Sequence, residues 1–173
     1  MKPEPFESAY WRTGARLTGL VILRVLIGWH FLHEGIVKLI NPYWSSAGYL
    51  SEAQWIFAGL FKSILSSPAV LSVVDFLNIW GLILIGLGLI TGLLARPAAV
   101  AGMVLLALYY LANPPFIGYT YSAPSEGNYL FVNKNLIELA ALWVLVVFPT
   151  GRLIGLDRLI SAYRLHRKRG DRR

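Results

Sequence analysis

Apolar residues fall along this chain in four long stretches, each closed by proline, glycine or charge. The first, Leu17–Ile40, predicts a helix that Asn41-Pro42 stops, since proline neither continues a helix nor tolerates helical geometry just before itself. The second predicts a helix over 69–94, starting after Ser66-Ser67-Pro68 and carrying Gly81, Gly86, Gly88 and Gly92. Its Gly88–Gly92 spacing is one that permits close helix contact, although glycine is also frequent in membrane helices generally. Arg96-Pro97 reads as the turn into a third helix over 97–113, which ends at Pro114-Pro115. A fourth helix is expected over 133–148, ending at Pro149-Thr150-Gly151.

Two weaker patterns lie outside these stretches. Ser51-Glu52-Ala53-Gln54 has the form of a capping box, and Ala53, Ile56, Phe57, Leu60, Phe61 and Ile64 follow at helical spacing. An amphipathic helix over 51–65 is expected, lying on the outer surface. Near the C-terminus Leu156, Leu159, Ile160 and Tyr163 share one face among arginines, which predicts a basic interfacial helix over 153–166 on anionic lipid.

Composition agrees with residence in a bilayer. The 173 residues are 56% hydrophobic and 14% charged, against about 25% charged in a soluble domain. The net charge of +7 raises the question of nucleic acid, and the distribution of that charge answers it. Twelve Lys and Arg lie in the N-terminal segment, at Arg96 and in the C-terminal segment, whereas the remaining loops hold Lys62 and Lys134 alone. That asymmetry is the positive-inside pattern. The expected fold is an all-α integral membrane protein, a four-helix transmembrane bundle forming one domain over 1–173, with both termini cytoplasmic in the plasma membrane. Its expected surroundings are the lipid bilayer and a partner protein or a second copy of the chain, with no nucleic acid. The absence of cysteine excludes disulfides and thiol chemistry.

Ionisable groups inside a bilayer cost roughly 2.5–3.5 kcal/mol each, so they need partners or a purpose. The topology brings several of them to one depth. Glu34 sits six residues, about 9 Å, below the outer end of the first helix. Asp75 and Asn78 lie near the outer end of the second, Asn113 closes the third, and Asn133, Lys134, Asn135 and Glu138 open the fourth. On the first helix His30, Glu34 and Lys38 repeat at four-residue spacing, with Glu34 placed to bridge both neighbours. A polar pocket open to the outer side is therefore expected from His30, Glu34, Lys38, Asp75, Asn78, Asn113, Asn135 and Glu138. Glu34 and Glu138 should approach one another across it, supported by Arg24, His33, Asn133 and Lys134. Tyr43, Trp44, Phe116, Tyr119, Tyr121 and Tyr129 would supply an aromatic rim. Arg24 reads as deeper and isolated. His30 and His33 lie on adjacent faces without a second histidine pair, so no metal site is expected. Two readings of the pocket stand side by side, a ligand, redox or proton-handling site and a set of polar ties between helices.

The stretches LRVLIGWHFLHEGIVKL (Leu23–Leu39), NIWGLILIGLGLITGLLARPAAVAG (Asn78–Gly102) and NLIELAALWVLVVFPTGRLIGLDRLI (Asn135–Ile160) resemble the DoxX/DoxD-like membrane proteins. The glycine-rich second helix closing on Arg96 and the late Gly155-Leu156-Asp157 carry most of the likeness. This resemblance implies a four-helix membrane bundle. It also implies a subunit of a redox assembly of the thiosulfate:quinone oxidoreductase type, with quinone as the associated cofactor. The alternatives are a non-enzymatic membrane scaffold or assembly factor and, third, a small-solute transporter. No catalytic residue is carried over.

Overall fold

The structure, a computed structural model, describes residues 14–122 and 130–158. The tail helix expected over 153–166 lies outside the described residues from 159 onward, as does Tyr129. Among the described residues the helices run in order α1 (Ala15–Ile40), α2 (Ala47–Ser51), α3 (Ala58–Ile64), α4 (Pro68–Thr91), α5 (Ala95–Ala112) and α6 (Lys134–Val147), then a 3-10 turn at Thr150–Arg152. No sheet occurs among the described residues. Helices α1, α4 and α5 are long and apolar enough to cross a membrane. Helix α6 has 14 residues, about 21 Å, and is short of the roughly 30 Å of bilayer hydrocarbon by itself.

The break between α4 and α5 comes earlier than the sequence suggests. Gly92 takes a left-handed conformation (φ 69°) and ends α4 at Thr91, and Leu94 (φ 51°) completes the turn. Arg96 and Pro97 then fall inside the first turn of α5, where the missing proline N–H costs no hydrogen bond. Left-handed backbone stops the helix, and the proline does not.

Helix α1 packs most closely on α4, α5 on α6 and α4 on α5, while α1 meets α6 more loosely. The tight pair rests on Gly28 and Gly35 of α1 and Gly86 of α4. A Cβ on Gly86 would stand 2.5 Å from the Leu32 amide nitrogen and 2.7 Å from the Gly28 carbonyl, so here backbone touches backbone. Of the Gly88–Gly92 pair, Gly88 makes a second close approach, to Ala98 of α5, and Gly92 is the helix stop. Ile27, Phe31, Leu82, Leu89, Leu106 and Leu142 fill the core between the four long helices. Leu26, Trp29, Phe76, Leu84 and Trp143 stay exposed, so the bundle is apolar outside as well as inside, as lipid requires.

Of the helix expected over 51–65 only Ala58–Ile64 forms, as α3; Glu52–Phe57 is irregular, and the preceding α2 ends at Ser51. Ser51 ends α2 and its hydroxyl donates back to the Gly48 carbonyl, so it caps nothing that follows. The Gln54 amide donates to the Thr120 carbonyl at 2.9 Å, and the Glu52 carboxylate accepts from the Ser122 amide. Gln54, which would have closed the capping box, is thus held by the 114–122 loop instead, as is its neighbour Glu52. The apolar face is divided accordingly: Ala53 and Phe61 are buried, whereas Ile56 and Leu60 are exposed.

At the opposite end of the bundle Asp157 seals α5. Its carboxylate accepts from the amides of Leu94 (2.8 Å) and Ala95 (3.3 Å), the donors that a helix start leaves open. Its own amide donates to the Gly92 carbonyl. Gly151 and Gly155 lie so close to Gly92 that a Cβ on either would meet Gly92 atoms at about 3 Å.

Candidate functional site

A cavity of about 380 Å³ lies between α1, α4, α5 and α6, beneath the segment Trp44–Tyr49. Four-residue spacing on α1 lines up His30, Glu34 and Lys38 along one wall. Helix α6 contributes Lys134, Asn135 and Glu138, α4 contributes Asn78 and Leu82, and α5 contributes Leu106 and Tyr109. Phe31, Leu82 and Leu106 make part of the wall apolar.

The charged groups pair off across and along the helices. Nδ1 of His30 lies 2.8 Å and 3.0 Å from the two carboxylate oxygens of Glu138. The Lys38 ammonium donates to the Glu34 carboxylate and stands 5.7 Å from the centre of the Trp44 ring, within cation–π range. Glu34 was expected to bridge His30 and Lys38. It takes only the lysine, because Nδ1 of His30 turns across to α6. Both carboxylates line the same cavity, each with a separate basic partner. Asn78 donates to the Tyr109 hydroxyl at 2.8 Å, while its own Oδ1 is buried without a partner.

Two residues expected in the pocket hold its roof instead. Asp75 accepts from the Ser45 hydroxyl, the Ser46 amide and the Ser46 hydroxyl, and it is Ser45 and Ser46 that line the cavity. Asn113 donates to the Tyr49 carbonyl at 3.2 Å. The Tyr49 hydroxyl in turn donates to the Tyr109 carbonyl at 2.8 Å, with the two rings edge to face. Burial, helped by Tyr109 and Tyr121, pushes the Tyr49 phenol above its ordinary range, so it remains a donor at physiological pH. The roof is thus latched to α4 at one side and to α5 at the other.

The remaining expected residues lie elsewhere. His33 is exposed beside Trp29 on the outer face of α1. Asn133 caps α6, accepting from the Leu136 amide. Arg24, expected to be isolated, is 3% exposed and donates to the Thr150 hydroxyl at 3.1 Å, with the Asp157 carboxylate close enough to act on its charge. It belongs to the glycine-lined clasp around Gly92 and not to the cavity, since it enters α1 ten residues below Glu34. Of the expected aromatic rim, Trp44 reaches the cavity, whereas Phe116 packs edge-on against Trp55 at 5.2 Å and Tyr43 is 93% exposed. Tyr49 and Tyr109 were not singled out as site residues. Tyr109 carries a signal in its position near the outer end of an apolar helix, but Tyr49 sits in a short helix whose place only the tertiary fold reveals.

Chemically, the site offers N–H donors at His30 and Lys38, two carboxylates, and apolar wall between them. It suits a small polar head that accepts hydrogen bonds and exchanges protons. No curated protein and no solved structure matches the chain. A family model, DoxX, matches residues 19–113, which run from α1 to the end of α5 and leave Glu138 outside. That match takes in more than half of the 173 residues, together with the α1–α4 glycine contact and the cavity walls of α1, α4 and α5, and by it the chain belongs to the DoxX family.

Proposed function

We propose that this protein is the membrane subunit of a redox assembly and that its cavity takes a quinone head group. The observation that carries this reading is the His30–Glu138 pair on the wall of the cavity. A quinone, when bound, accepts two electrons and two protons and leaves as the quinol. Electrons would come from a partner redox protein. His30 holds a proton at a ring nitrogen, Glu138 orients the imidazole and stabilises its charged form, and Lys38 offers a further donor. The apolar surfaces of Phe31, Leu82 and Leu106 suit the faces of a planar ring.

The same reading includes four crossings of the plasma membrane, with both termini in the cytoplasm and one membrane domain in all. The charge asymmetry along the chain supports it, and α6 would complete its crossing with the residues that flank it. Equilibrium binding of decyl-benzoquinone to the protein in liposomes tests the site. Saturable binding, weakened about tenfold in Glu138→Gln by loss of a charge-assisted hydrogen bond, is expected. Absence of saturable binding overturns the reading.

A second reading, a membrane scaffold without catalysis, draws on the pairing inside the cavity: Glu138 with His30 ties α6 to α1, and Glu34 with Lys38 braces α1 itself. Under it, the charge-removing variants would alter stability and partner co-purification, with no effect on quinone.

A further inference from the structure

The cavity has a closed side and an open one. Its outer side lies under Trp44–Tyr49, a segment fixed to α4 through Asp75 and to α5 through Asn113 and the Tyr109 carbonyl. Yet two charged groups on its walls are far from enclosed, for the side chains of His30 and Glu34 are 42% and 44% exposed. Lys38 and Glu138, their partners, are 18% and 12% exposed. Of the neighbouring pairs of long helices around the bundle, α1 with α6 packs most loosely, and it is across this seam that His30 and Glu138 meet.

We propose that the cavity is loaded sideways, through the seam between α1 and α6, by an amphiphile dissolved in the bilayer. Its polar ring would reach His30 and Glu138, and its apolar tail would remain in lipid. This rests on the reading of the cavity as a quinone site and adds to it the route and the form of the ligand. By helical spacing, Leu26 and Val37 flank His30 on the lipid side of α1, and Ile137 and Val144 flank Glu138 on α6. All four are exposed, aliphatic and uncharged, the surface an acyl or prenyl tail accepts. Lys38, above them, is turned toward Glu34 and Trp44; Lys134, one turn above Glu138, and His33, between Leu26 and Val37 on the same face, are the basic groups that stand beside these four. A ligand arriving from water above would instead have to break the Asp75 and Tyr49 latches before reaching His30.

The test uses the unmodified protein in phosphatidylcholine liposomes with a benzoquinone whose decyl tail ends in a diazirine. Irradiation fixes the tail where it lies, and peptide mass spectrometry finds the adducts. Adducts on Leu26–Val37 and Ile137–Val144, lost when excess decyl-benzoquinone competes, are the expected result. Competed adducts on Trp44–Tyr49, or on the lipid faces of α4 and α5, would show a bound quinone that came by another path and overturn the sideways route. Adducts that excess decyl-benzoquinone does not displace mark tails loose in the bilayer, and they overturn the quinone site together with its route.

Discussion

His30 of α1 and Glu138 of α6, 108 positions apart in the chain, meet with Nδ1 lying 2.8 Å from the nearer carboxylate oxygen. This is a link between two helices that otherwise pack loosely. Glu138→Gln keeps the shape and a hydrogen bond while removing the charge that stabilises protonated imidazole. It should fold as the parent does and lose quinone-linked turnover by about a hundredfold, the scale of a lost acid–base group. Glu138→Leu removes the bond as well and should cost on the order of 1 kcal/mol of stability. Turnover in liposomes and thermal unfolding in detergent separate the two effects. Full turnover in Glu138→Gln would falsify the proton-handling role.

Glu34→Gln is milder for the fold. Lys38 keeps the Glu34 carbonyl at 3.4 Å and the Trp44 ring, so the loss should be about 0.5 kcal/mol. Turnover should still fall, because the cavity then loses one of its two carboxylates while the Lys38 ammonium remains. A loss of several kcal/mol in unfolding experiments would contradict this division between fold and function.

The glycines of α4 should respond oppositely to alanine. At Gly86 the new methyl would press on the Leu32 and Gly28 backbone, and about 1–3 kcal/mol of stability should go. At Gly81, inside the same helix, a Cβ meets nothing within 4 Å, and alanine should stabilise by up to about 1 kcal/mol. Denaturant titration of both variants in the same detergent provides the comparison, and equal responses would sink the contact assignment.

Asp157→Ala strips the start of α5 of its acceptor and should lower stability by about 1 kcal/mol, with Asp157→Asn losing less. Unfolding midpoints that do not move in either variant would remove Asp157 as a cap.

The chain has no cysteine, so single introduced cysteines report sidedness without background. With four crossings, Tyr43→Cys in the roof loop should label with an impermeant maleimide from outside intact cells. Leu94→Cys, in the α4–α5 turn, should label only after lysis. The reverse pattern would invert the proposed orientation.

The apolar stretches that make α1, α4 and α5 were legible because hydropathy over some twenty residues is a local property. The His30, Glu34, Lys38 stripe was legible for a similar reason, since helical period alone aligns it. What lay beyond the sequence depended on choices between equivalent local options. Gly86 and Gly88 are both small residues in one helix, and only the rotation of α4 against α1 decides which of them touches Leu32. Imidazole Nδ1 of His30 had a carboxylate one turn away and another on a different helix, and tertiary geometry selected the second. Asp75 and Asn113 have the right depth for the cavity, but depth does not say whether a side chain faces inward or toward the loop above. The capping box at Ser51 failed because the 114–122 loop, more than sixty residues on, offered Glu52 and Gln54 better partners.

The Asp157 cap has a consequence for how the protein is made. The amides at the start of α5 find their acceptor 63 positions downstream, on the far side of α6. Until Asp157 has been added to the growing chain, a hairpin of α4 and α5 would leave those donors open at its turn. Lipid phosphate or water must satisfy those donors until α6 is in place and Gly151 and Gly155 have closed on Gly92. A chain cut before Asp157 would therefore lack the acceptor that closes the start of α5, even with every residue of α5 itself present.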